Sequence, residues 1–63
     1  MKRRELIKLL LACGWRLKRH GAEHDVYADG GNIEFVPRHA DINEILAKAI
    51  IKKWHLKGEG KND

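Results

Sequence analysis

Cys13 is the only cysteine in the chain, so no disulfide can staple it, and a lone thiol fits a reducing compartment. A cytoplasmic location is therefore expected. No apolar run approaches the roughly 20 residues that a membrane-spanning helix requires, and no membrane partner is expected. The opening Met1-Lys2-Arg3-Arg4 is basic like the start of a secretory leader. The apolar stretch behind it, Leu6 to Cys13, is short, interrupted by Lys8, and followed by Gly14-Trp15-Arg16 where a cleavage site would stand. The four histidines come without paired cysteines and without a His-Glu-x-x-His helix, so their spacing fits no common zinc site. Neither a metal nor another cofactor is expected. Internal repeats are missing too, as is any composition break that would divide the chain.

At 63 residues the sequence has room for one small domain. Chains of this size bury only about 60% of the surface they expose when unfolded, so stability is expected to be marginal. The domain is expected over residues 1–57. Gly58 to Asp63, short, polar and Gly-containing, reads as a flexible tail.

What the chain does have is positive charge: 13 Lys and Arg against 9 Asp and Glu give +4. That excess on a small domain favours a polyanionic or acidic partner, either nucleic acid or an acidic protein surface. Charge alone does not separate these from a merely solubilising surface.

Leu6, Leu9, Leu10 and Cys13 follow the spacing of one helical face, which predicts a helix from Lys2 to Ala12 closed by Gly14. Trp15-Arg16-Leu17-Lys18-Arg19 alternates as a half-buried strand does, with Trp15 and Leu17 facing the helix. After Gly21 a second strand is expected from about Glu23 to Ala28, with Val26 as its core residue. Alternation puts His24 on Val26's side and Asp25 on Tyr27's. Asp29-Gly30-Gly31-Asn32 is a hairpin signal, and Ile33 to Val36 forms the third strand, ended by Pro37. Asp41 followed by Glu44 resembles a capping box opening a last helix, with Ile42, Ile45, Leu46, Ala49 and Ile50 on its apolar face. The expected class is α+β: two helices packed on one face of a three-stranded antiparallel sheet, the other face polar or basic and exposed.

The chemistry-bearing stretch is Arg19-His20-Gly21-Ala22-Glu23-His24, where a glycine turn sets His24 at the mouth of the second strand. By residue type alone, a histidine at a strand end is most often a surface residue, and His20 reads as a solvated loop residue before it reads as a second proton carrier. His39 fits an RNA contact or a turn cap about equally, and His55 belongs to the C-terminal surface. Tyr27 reads as packing before it reads as a base-stacking ring.

Several pieces in order carry a resemblance: Glu5-Leu6-Ile7 with Gly14-Trp15, Gly21 with His24, Val36-Pro37-Arg38-His39, and Ile42-Asn43-Glu44. Over most of residues 2 to 53 the chain resembles the HicA-type toxins, small ribonucleases of bacterial toxin–antitoxin pairs. The resemblance implies an α-β-β-β-α fold similar to the double-stranded-RNA-binding domain. It also implies metal-independent mRNA cleavage with an essential histidine at the position of His24, and a HicB-type antitoxin that covers the active surface. In one respect this sequence departs from the pattern. Many members carry Gly-Ser-His at the turn, whereas Gly21-Ala22-Glu23-His24 offers no hydroxyl before the histidine, and Glu23 repels phosphate unless it points away.

RNA supplies its own nucleophile, the 2′-hydroxyl. Cleavage needs that proton removed, charge on the phosphorane stabilised and the leaving 5′ oxygen protonated. Histidine, with an ordinary pKa near ~6.5, serves either proton transfer. Lys18, Arg19 and Arg38 are the expected phosphate contacts. The competing reading is a non-catalytic double-stranded-RNA-binding module. Such modules usually carry a Lys-rich cluster at the start of the last helix, where this chain has Asp41-Ile42-Asn43-Glu44. A protein-interaction domain with no RNA role explains the charge least well.

Overall fold

A computed structural model of the chain describes residues 1–57; the tail expected over residues 58–63 lies outside them. The first helix, α1 (Arg3–Ala12), buries Leu6 and Leu10 completely, with Ile7, Leu9 and Cys13 packed beside them. Gly14, at φ +94, turns the chain out of the helix in a conformation that L side chains rarely adopt. Three strands follow, β1 (Arg16–Arg19), β2 (His24–Asp29) and β3 (Asn32–Pro37), in the order β1-β2-β3 and all antiparallel. The Gly30-Gly31 turn pairs Asp29 with Asn32, and Gly30 alone takes a positive φ, +61, as the first position of a type II′ turn does. The second helix, α2 (Glu44–Trp54), joins α1 on one face of the sheet. Between helices and sheet lie Leu6, Leu10, Tyr27, Val36, Ala47 and Ile50, closed at the ends by Trp15, Ile42 and Leu56. The α-β-β-β-α order and the two-layer packing are those the sequence predicts.

Five expectations about helix capping and about which side chains face inward are corrected. Asp25 and Tyr27, not Val26, point to the helices. Val26 is buried against the opposite face, outside the main core, between its cross-strand neighbours Arg19 and Phe35. Leu17 pairs with Tyr27 on the helix side, but β1 is an edge strand and Leu17 stays 41% exposed. The α2 cap is Asn43, whose side chain accepts from the Ile45 and Leu46 N–H groups at 2.8 and 3.3 Å; Asp41 instead forms an isolated bridge with Lys2. The inner stripe of the helix is Ala47, Ile50, Ile51 and Trp54, one residue out of phase with the expected one, and Ile45 is left 81% exposed. Finally, the outer sheet face is not purely polar or basic, since beyond the arginines of β1 it carries Val26, Ile33 and Phe35.

The rotated stripe has a measurable consequence. Ile50→Ala is expected to destabilise the domain by about 2–5 kcal/mol, a buried large-to-small change. Ile45→Lys is expected to stay within about 0.5 kcal/mol of the parent. Urea denaturation of the two variants checks this. Similar losses at both positions would restore the stripe that the sequence suggests.

Trp15 and Trp54 meet edge to face, with centroids 5.0 Å apart, and Trp54 Nε1 donates to Glu34 Oε1 at 2.7 Å. This contact ties the end of α2 to β3 and to the β1 entry. At the other end, Arg3 N donates to Ala40 O and Ile42 N to Met1 O, both at 2.8 Å, so the loop after β3 is pinned to the start of α1. That loop carries Arg38 and His39.

Candidate functional site

The open end of the β2–β3 pair is where His24 sits opposite Pro37. The turn before β2 and the loop after β3 meet beyond that pair and enclose a cleft of about 370 Å³. Ala22, Glu23, His24, Pro37, Arg38 and His39 line it. His24 and His39 are both exposed at this cleft, and Arg38 is half-exposed beside them.

A buried carboxylate behind the cleft ties its rims together. Asp25, 3% exposed, accepts from Arg3 Nη2 at 2.5 Å, and its other oxygen lies 3.1 Å from His20 Nδ1 and 3.6 Å from Arg38 Nε. Burial raises the pKa of this carboxyl. The hydrogen bond with His20, the charges of Arg38 and His20, and a backbone hydrogen bond from Gly21 outweigh it and hold Asp25 below the ordinary carboxylate value. Each partner comes from a different piece of chain: α1, the turn before β2, and the loop after β3. Arg3 also donates through Nε to Pro37 O at 2.8 Å, and Arg38 donates through Nη1 to Gly21 O at 2.9 Å. The Arg38 backbone N–H bonds Glu23 O at 3.1 Å. Asp25 is thus the point at which both rims of the cleft are fastened.

Gly21 is required here for closeness, not for a left-handed φ. A Cβ on Gly21 would lie 2.2 Å from the His24 carbonyl oxygen, so any side chain forces the backbone at His24 to move. The turn is folded tightly back onto the strand residue it presents.

Of the residues singled out in the sequence, the structure brings His24 and Arg38 together. Arg38 is partly committed to Gly21 and Asp25, but a guanidinium has more N–H donors than those contacts use. Lys18 and Arg19 are exposed on β1, on the far side of β2 from Arg38, and do not line the cleft. A bulge separates their roles. Leu17 pairs with Tyr27 and Arg19 with Val26, so Lys18 is the extra residue, and Arg19 lands on the same sheet face as Val26 and His24. Ala22 and Glu23 both line the cleft, which has no serine and brings a carboxylate residue to its edge. His20, read from sequence as a solvated loop residue, is 67% exposed and bound to Asp25.

The residues that sequence reasoning misses are Asp25 and Arg3. The signal was present: alternation puts Asp25 on Tyr27's side, and a carboxylate beside a core aromatic must find cationic partners. Taking Val26 as the core residue hides it. Arg3 lies one helical turn before Leu6, on the side of α1 that turns inward.

Comparison with known proteins adds one finding. Residues 3–56 match the family described as HicA toxin of bacterial toxin-antitoxin. No curated protein and no solved structure matches the chain.

Proposed function

The chain belongs to the HicA toxin family, and from that premise we propose that it is the toxin of a type II toxin–antitoxin pair, a metal-independent endoribonuclease acting on mRNA. The observation that supports this reading is the gathering of His24, His39 and Arg38 around one cleft whose walls are fastened by Asp25. In this reading His24 is the catalytic histidine, taking the 2′-hydroxyl proton or returning one to the 5′ oxygen. His39, at the same cleft, is the candidate for the opposite transfer. Arg38 stabilises charge on the phosphorane, and Lys18 and Arg19 hold RNA outside the cleft. Because the nucleophile comes from the substrate, acid–base and electrostatic groups suffice for the reaction.

A HicB-type antitoxin that covers this surface completes the reading. An acidic antitoxin suits the +4 charge, and its binding stabilises a small domain by mass action. The duplex-binding alternative fits less well. The α2 start is acidic, and Glu44 there is ion-paired with the Met1 ammonium at 2.8 Å, which holds its carboxyl below the ordinary value. Purified protein is expected to cleave RNA in the presence of EDTA. Activity that disappears with chelator and returns with a divalent cation would overturn the metal-free part of the reading.

A further inference from the structure

The sheet face opposite the helices is laid out as a small grid. Across the three strands, Arg16 pairs with Ala28 and Ala28 with Ile33; one row on, Arg19 pairs with Val26 and Val26 with Phe35. The third row holds His24 opposite Pro37. Tyr27, Asp25 and Val36 belong to the helix side, so these rows all face outward. Phe35 is 56% exposed, although it is the only phenylalanine in the chain and a domain this small has few aromatics to give away. It stands one row from His24, a separation of about 7 Å along a strand. Val26, its cross-strand neighbour on the same face, is buried.

An exposed aromatic ring on β3, with two arginines across β2 on the β1 edge of the same face and His24 one row away, has the chemistry of a base-stacking platform. We propose that this face binds single-stranded RNA, with a base stacked on Phe35, the phosphates on Arg16 and Arg19, and the chain running on into the cleft at His24. Charge narrows the occupant to a polyanion, since both exposed outward residues of β1 are arginines and the domain as a whole is cationic, and the exposed ring selects one that offers unstacked bases. Base-paired RNA hides its faces in the stack and is not a fit for the ring. The bulge at Lys18 acquires a purpose, because it brings Arg19 onto this face. The inference rests on the reading of the chain as an RNA-cleaving toxin, and it names the substrate form and a positioning residue for it.

The test uses the full chain carrying His24→Ala, so that binding is measured without cleavage, and a fluorescein-labelled 12-nucleotide single-stranded RNA. Adding Phe35→Ala is expected to weaken binding about 5- to 150-fold, the value of one stacked base. Phe35→Trp is expected to retain or tighten it, and a duplex of the same sequence to bind more weakly and without regard to residue 35. Circular dichroism of each variant establishes that the fold is kept. Unchanged affinity in Phe35→Ala would overturn the inference, as would equal loss for single strand and duplex. A loss confined to capture of the antitoxin would assign the face to protein contact instead and also overturn it. If Phe35 governs single-strand binding but the wild-type chain fails to cleave, the inference stands and the nuclease reading fails.

Discussion

Replacing His24 by alanine is expected to lower the rate of RNA cleavage by about 10²–10⁴-fold, the usual worth of a positioned acid or base. The fold should be unaffected, because His24 is exposed at the rim of the cleft and truncation removes little packing. Single-turnover cleavage, with thermal melting of the same samples, checks both halves of the expectation. The companion variants His39→Ala and His20→Ala divide the remaining proton-transfer role. His39 lines the cleft, and its loss is expected to reduce the rate and remove one limb of the pH–rate profile. His20 is held by Asp25 outside the lining, and its loss should leave the profile's shape intact. Equal cleavage by wild type and His24→Ala would take His24 out of the mechanism.

Asp25→Asn is expected to produce the largest fall in melting temperature of any single carboxylate replacement, together with loss of cleavage. The change leaves Arg3 and Arg38 without their anion and loosens the turn from the loop after β3. Its pH signature has a definite sign. The Asp25 pKa is lowered on folding, so its contribution to stability is fully present above the ordinary carboxylate value near ~3.9. It is lost as pH falls below that value and through the lower folded one. Wild type should therefore lose stability on acidification in that window, and Asp25→Asn should lose less. Glu44, lowered by its hydrogen bond and ion pair with the Met1 ammonium, keeps some acid sensitivity in the variant. Identical acid profiles for the two proteins would mean that Asp25 is not the fastening point.

The element order was legible because each boundary has a local cause in the sequence: Gly14 after α1, Gly30-Gly31 between β2 and β3, and Pro37 at the end of β3. Sidedness was less legible. A run such as Asp25-Val26-Tyr27 gives two alternations of similar plausibility, and tertiary packing chose the one that buries a carboxylate with Tyr27. The same holds for α2, where Ile42 is buried as a loop residue pinned to Met1 and not as part of the helical stripe. A one-residue change of phase then exposes Ile45. His24 and Arg38 were singled out through the motifs that carry the family resemblance, and both line the cleft. The Asp25 anchor was not, because it joins residues 22 positions apart, Arg3 and Asp25, through a contact that no local pattern encodes. The bulge at Lys18 is likewise a property of pairing, and it alone decides that Arg19 shares the face of His24.

The central claim is that RNA is cut by its own 2′-hydroxyl, with His24 moving a proton and no metal involved. The most direct measurement is an end-group determination on RNA cleaved by the purified chain in EDTA, beside a matched substrate with a single 2′-deoxy sugar at the cleavage position. The account predicts 5′-hydroxyl and 2′,3′-cyclic phosphate ends, and no cut at the deoxy position. Ends bearing 5′-phosphate and 3′-hydroxyl, or cleavage at the 2′-deoxy sugar, would contradict it.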